Sequence, residues 1–356
     1  MGGGFLRIAL RSSSLAQVKH VPQIRFNKAG GLVASVYGQM EREFGMLAPP
    51  VTLHSPLPEV LAGCWLVLRE TLIAPGRVTR SEKEAVAAAV SVSNSCPYCV
   101  TIHSGVMRAL LPGPDAAALA ADQVKKISDP QIAAIAAWGR NIADPEALTE
   151  APFPAEHVPE LLGVAVTFHY LNRMVNIFLG EIPLPPAAPE AVLGPIMRVA
   201  GRLMRSAGRN AAAPGASLSL LPDAPLPKDM SWAAGSPSIA GAYARLAASI
   251  EDAGHDYVPA AVRELLFAEL AVWNGRSKGL SRAWVEDATR TLSDADRPAG
   301  RLALLTAFAS YQVDQGVIDA FRATQPADET LVGLTSWASL TTARHIGAKT
   351  RLVSSA

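Results

Sequence analysis

"EAVAAAVSVSNSCPYCVTIH", Glu84 to His103, is the stretch on which the fold of this chain turns. Its first part carries alanine and valine at helical density, and Ser93-Asn94-Ser95 is a run of short polar residues that favour caps and turns. Pro97 suits the first turn of a helix. The expected result is two helices that reverse at Ser93 to Ser95, with Ser95 or Asn94 as N-cap of the second. Cys96 and Cys99 then stand in its first turn, with His103 one turn beyond Cys99. Spacings of i, i+3 and i, i+4 put all three on one face. If the two helices run antiparallel, Glu84 on the first faces His103 on the second.

The same periodicity extends outward. Helices are expected over 31–44, 58–73, 80–93, 98–110, 130–142 and 158–179, and strict alternation of β-branched residues is scarce, so the chain reads as all-α. Thr79 and Ser81 each have a glutamate three residues on, Glu82 and Glu84, a capping-box pattern that starts the third helix. Pro183 to Pro227 holds nine prolines with several Gly and Ser, as an interdomain connection does. Within it Val192, Ile196, Val199 and Leu203 form an apolar stripe. Arg198, Arg202, Arg205 and Arg209 form a basic one, read as a solvated helix face.

Beyond the connection the pattern starts again. "LHSPLPEVLAGCW" (Leu53 to Trp65) is echoed by "AGSPSIAGAYA" (Ala234 to Ala244), and "ELLGVAVTF" (Glu160 to Phe168) by "ETLVGLTSW" (Glu329 to Trp337). A shift of 180 residues lays Glu84 on Glu264 and Asn94 on Asn274, but Cys96 on Arg276, Cys99 on Gly279 and His103 on Ala283. The second copy keeps a framework and loses the thiols and the imidazole, which argues for chemistry in the first. The expected organisation is an N-terminal arm at 1–30, a site-bearing helical domain at 31–182, a linker at 183–230 and a degenerate repeat at 231–356.

Composition sets limits. Of 356 residues 49% are hydrophobic and 18% charged, and the net charge of +1 gives no electrostatic case for nucleic acid or an acidic membrane as partner. No apolar run reaches membrane-spanning length, and the basic N-terminus is broken by Arg7 and Arg11, unlike a signal peptide. Three cysteines fit a reducing compartment. A cytoplasmic protein is expected.

Cys-x-x-Cys followed by His admits several chemistries. A helix N-terminus stabilises a thiolate, and His103, oriented by Glu84, can take or deliver its proton. Neighbouring thiols can close a disulfide after one is oxidised. A zinc site needs a fourth ligand, for which only Cys64, in an apolar stretch beside Trp65, and His169, on an apolar helix, offer themselves; both read as core. A c-type haem needs His directly after the second Cys, where Val100 stands. Inert packing of thiols and imidazole is the plainest alternative.

The stretch Glu84 to His103 resembles the E-x11-C-x2-C-x3-H signature of the alkylhydroperoxidase D-like group within the carboxymuconolactone decarboxylase superfamily, and Ser91, Asn94 and Pro97 match its run-up. The resemblance is sharpest over about residues 50 to 180. It implies an all-helical fold around an antiparallel helix pair carrying the site, which with the internal echoes gives two tandem helical repeats, the second degenerate, and a thiol-dependent hydroperoxidase or disulfide oxidoreductase in antioxidant defence. It further implies Cys99 as the peroxide-attacking thiolate, Cys96 as resolving thiol, His103 as the group that activates Cys99 and Glu84 as its orienting carboxylate. No metal, haem or other bound cofactor is implied. The partners implied are a hydroperoxide substrate, an external dithiol or lipoyl-type protein reductant and further copies of the chain in a homo-oligomer. The family prototype has histidine where Tyr98 stands, so one relay element is missing here. The reading from another class is a non-enzymatic redox sensor or scaffold whose dithiol switches a partner interface.

Overall fold

A computed structural model describes residues 11, 14–111, 113–144, 146–147, 150–180 and 213–350. Among these the fold is helical, and the only β pairing is an isolated bridge between Val18 and Leu179. The apolar and basic stripes expected at Val192 to Arg209 lie outside the described residues.

In the first half the principal helices are α1 (Gly31–Glu43), α2 (Pro58–Leu68), α3 (Arg80–Ser93), α4 (Pro97–Leu110), α5 (Asp115–Ala120), α6 (Pro130–Asn141) and α7 (Val158–Phe178). In the second they are α8 (Pro237–Tyr257), α9 (Ala260–Val272), α10 (Ala283–Ala288), α11 (Arg297–Ala309), α12 (Gln315–Thr324) and α13 (Asp328–Lys349). The sequence places six of these first-half helices at their observed positions, and α5 is the one it does not anticipate. One differs in kind: the run expected to stay α-helical to Ile73 widens into a π-helical turn over Arg69–Ile73. There Thr71 Oγ1 donates back to the Val67 carbonyl at 2.7 Å, a bond that competes with the regular ladder.

Helix α3 is the centre of the first half, packed against α4, α6 and α7. Its alanine-rich sequence makes this possible, because small side chains admit three neighbours at close approach. The halves meet through like helices: α2 packs on α8 and α7 on α13, and one apolar core runs through both halves. Pro58 and Pro237 each open their helix, and Glu160 and Glu329 each lie in the first turn of theirs, so the sequence echoes fall on the paired helices. That is the pattern of an isologous dimer interface within one chain. Tyr243 of α8 stitches it, donating to the Gly163 carbonyl at 2.6 Å, with its hydroxyl 2.8 Å from Thr167 Oγ1.

The repeats diverge around the site. After α9 the backbone is irregular as far as Arg282, and the short α10 replaces the long α4. Helix α9 accordingly buries only Val262, Leu266 and Leu270, whereas α3 buries most of its length. The arm ahead of α1 docks along the end of α7, where Lys19 N–H donates to the Phe178 carbonyl at 2.7 Å.

The α2–α8 crossing is close enough that a Cβ on Gly63 meets the Leu246 Cα at 2.9 Å, a backbone contact that no rotamer relieves. Gly63→Val is expected to cost about 1–3 kcal/mol by forcing the pair apart, read as a lower denaturant midpoint by circular dichroism. Gly30→Ala, where nothing lies within 4 Å, is the control and should shift it little.

Candidate active site

Helix α3 begins with a full capping box. The Glu82 amide donates to Thr79 Oγ1 at 3.3 Å, and the Thr79 amide donates to the Glu82 carboxylate at 2.9 Å. Glu84 is therefore released from capping and, one turn further, is fully buried. One carboxylate oxygen lies 2.6 Å from His103 Nδ1 on α4. The other accepts from Arg80 Nε at 2.7 Å. Burial alone would raise the Glu84 carboxyl, but Arg80 and His103 together hold it below its ordinary value. An ionised Glu84 fixes the His103 proton on Nδ1 and leaves Nε2 as the acceptor. Phe168 of α7 stands edge-on to the imidazole, with ring centroids 4.5 Å apart.

The turn into α4 corrects one expectation. Neither Ser95 nor Asn94 caps it: Asn94 is the C-cap of α3, Ser95 takes a left-handed φ of 51°, and Cys96 is the N-cap. Pro97 is the reason, since it disfavours a helical residue before it and so starts the helix immediately after Cys96. The Cys96 amide donates back to the Ser91 carbonyl at 2.9 Å, which closes the reversal.

Both thiols are reduced and nearly enclosed, Cys96 1% and Cys99 3% exposed. Their side chains hydrogen-bond to each other. The helix N-terminus is expected to lower a thiol's pKa, but burial, the bond to Cys96 and the charge of Cys96 push Cys99 well above the ordinary thiol value. Against them acts a hydrogen bond from Asn172 of α7. Asn172 Nδ2 also donates to Ser91 Oγ at 3.1 Å, and its Oδ1 accepts from Asn94 Nδ2 at 3.0 Å. This fixes the amide with its NH2 towards the thiols, the orientation that favours a thiolate.

The structure thus brings Glu84 to His103 and Cys96 to Cys99, and adds Arg80, Asn94 and Asn172. Asn172 escaped the sequence reading, although a signal was present: His169, Asn172, Arg173 and Asn176 form a polar stripe at helical spacing on the otherwise apolar α7. His169, expected to be a satisfied core histidine, is only half so. Arg173 Nη1 lies 3.3 Å from its Nδ1, while its buried Nε2 has no hydrogen-bond partner among the described residues. Tyr98, between the thiols, donates to Gln17 Oε1 of the N-terminal arm at 2.9 Å. Cys64 is core, as expected. Among the described residues no group of three or more His, Cys, Asp and Glu is placed to hold a metal ion, and no helix is long and apolar enough to cross a membrane.

An all-helical fold with a dithiol at a helix start and a carboxylate–imidazole pair behind it defines a class, and the comparisons agree. Residues 58–124 match the Carboxymuconolactone decarboxylase family. The chain is 38% identical, over 93% of its own length and 94% of the relative's, to a Mycobacterium tuberculosis protein named alkyl hydroperoxide reductase. This chain belongs to the carboxymuconolactone decarboxylase family and is alkylhydroperoxidase D-like.

A thiol pKa raised in the fold leaves less thiolate at neutral pH than a free cysteine has, and the deficit closes only as pH climbs past the ordinary thiol range. Cys99 is therefore expected to react with iodoacetamide at neutral pH at least ~10-fold more slowly in the native protein than in guanidinium. Asn172→Leu should slow it further. Peptide mass spectrometry reads both, and native reaction as fast as denatured would refute the assignment.

Proposed function

We propose that the chain is a thiol-dependent hydroperoxidase recycled by an external dithiol. The observation that carries the reading is the reduced Cys96–Cys99 pair on the helix that also presents His103 to a buried, ionised Glu84. The name of the 38% identical relative supports it.

His103 Nε2 takes the Cys99 proton, and the thiolate attacks the peroxide's outer oxygen. The O–O bond breaks, the alkoxide leaves with a proton from His103, and Cys99 becomes a sulfenic acid. Cys96 sulfur then attacks Cys99 sulfur, expelling water and closing a disulfide. A dithiol donor reduces it through a mixed disulfide, and the donor leaves oxidised. Glu84 orients the imidazole and balances its charge when protonated. No bound cofactor enters. The site sits in a reducing, cytoplasmic setting on this reading, and the bare α9 face is where further self-association would occur.

The test is hydroperoxide consumption with dithiothreitol or dihydrolipoamide. Cys99→Ser should abolish turnover, and Cys96→Ser should stop the cycle after one equivalent. Glu84→Gln should lower the rate by ~10²-fold and flatten its acid limb. Turnover intact in both cysteine variants would sink the mechanism.

The burial of both thiols favours a second reading, a redox sensor whose dithiol switches a partner interface. Such a protein would oxidise once and stop under excess dithiol donor, where the enzyme cycles.

A further inference from the structure

Three strong cations are buried among the described residues. Arg69 is ion-paired with Glu43 and Glu70, and Lys83 with Glu160. Arg173 of α7, 5% exposed, has no carboxylate partner among the described residues. Its Nε donates to the Ala307 carbonyl at 2.9 Å, and its Nη1 to the His169 carbonyl at 2.6 Å and to Asn94 Oδ1 at 3.4 Å. Nη2 meets no acceptor among the described residues. Burial alone, with no anion offsetting it, brings the guanidinium down to about 9. The end of α11, through Ala307, supplies a dipole but not a full charge. A buried cation without an anion is costly, and Arg69 and Lys83 show how that cost is normally met.

Arg173 lines a cavity of about 90 Å³ between the two halves, roofed by α11 and the irregular segment after α9. Its polar wall includes Asn94, Ser95 and Ser310, and among the described residues no Asp or Glu lines it. Trp273 and Phe308, an edge-to-face pair with centroids 5.2 Å apart, form an apolar wall. Arg276 also lines the cavity but is committed to Asp144 and Glu146.

We infer that this cavity is a binding site for a small organic carboxylate, the head group on Arg173 and an apolar tail along Trp273 and Phe308. A guanidinium fork matches a planar carboxylate. A phosphate dianion would call for a second free cation, and Arg276 is already paired. The site is independent of the peroxidase reading, although it adjoins the dithiol: Asn94 joins Arg173 to Asn172, and Asn172 touches Cys99.

The test is isothermal titration of the reduced full chain with hexanoate, with hexanol and inorganic phosphate as comparisons. Hexanoate should bind saturably at one site, and neither comparison should. Arg173→Gln should weaken it by ~10-fold or more. Ser310→Asp, which places a carboxylate inside the cavity, should abolish binding while helical circular dichroism is retained; it carries the test if Arg173→Gln fails to fold. The inference is overturned if hexanoate does not saturate, if hexanol or phosphate binds as tightly, or if Ser310→Asp leaves affinity unchanged. Peroxide turnover enters none of these readouts, so failure of the peroxidase reading and failure of this one are separable.

Discussion

The structure depends on one contact, the 2.6 Å bond between Glu84 on α3 and His103 on α4. A fully buried carboxylate is tolerable only when its oxygens are satisfied by cationic or donating groups. Arg80, one turn earlier on α3, satisfies one side and His103 the other. For His103 to reach it, the chain must reverse sharply between Ser93 and Pro97. The left-handed Ser95, the return of the Cys96 amide to Ser91 and the fixed φ of Pro97 make that reversal. The same turn places Cys96 and Cys99 at the start of α4. The relay geometry and the dithiol geometry are two results of one local constraint.

The half without thiols still shapes the half that has them. Helix α7 is buried along nearly its whole length because α13 covers the face that α3 leaves open. Its polar side chains therefore have to satisfy one another or borrow partners from across the interface. Asn176 reaches Ser310, Arg173 reaches Ala307, and Asn172 turns to Asn94 and Ser91. This enclosure excludes water from the thiols and so raises Cys99. The pairing of α2 with α8 and α7 with α13 gives the site-bearing half a packing surface within the same chain.

Local rules made much of this legible. The alanine-rich run, the Thr79–Glu82 box, Pro97 and the i, i+3, i+4 spacing place α3, α4, Glu84, both thiols and His103 from sequence alone. What sequence could not supply is set by contacts far apart in the chain. Asn172 meets Asn94 across 78 residues and Arg173 meets Ala307 across 134. The Cys99 thiol was misjudged for the same reason: the helix N-terminus is a local feature and lowers the pKa, while burial by α7 is a tertiary one and wins. The N-cap shifted by a residue or two because Pro97 constrains its predecessor more strongly than serine or asparagine prefers the cap.

A raised thiol and a peroxide-reactive thiolate are compatible if the two belong to different moments. At rest, burial and Cys96 keep the Cys99 proton in place; the groups that favour its departure, Asn172 and the helix start, are already fixed. Burial is the largest of the effects that hold the proton on Cys99. The N-terminal arm holds Tyr98 through Gln17 and is bound to the end of α7 by backbone bonds, with Val21 joining the core. Tyr98 itself cannot replace the histidine of the family prototype as a base, since burial and the neighbouring thiols raise its hydroxyl far above neutrality. On the proposed chemistry, proton transfer at the dithiol therefore falls to a single imidazole, held in place by the buried Glu84 that anchors the fold.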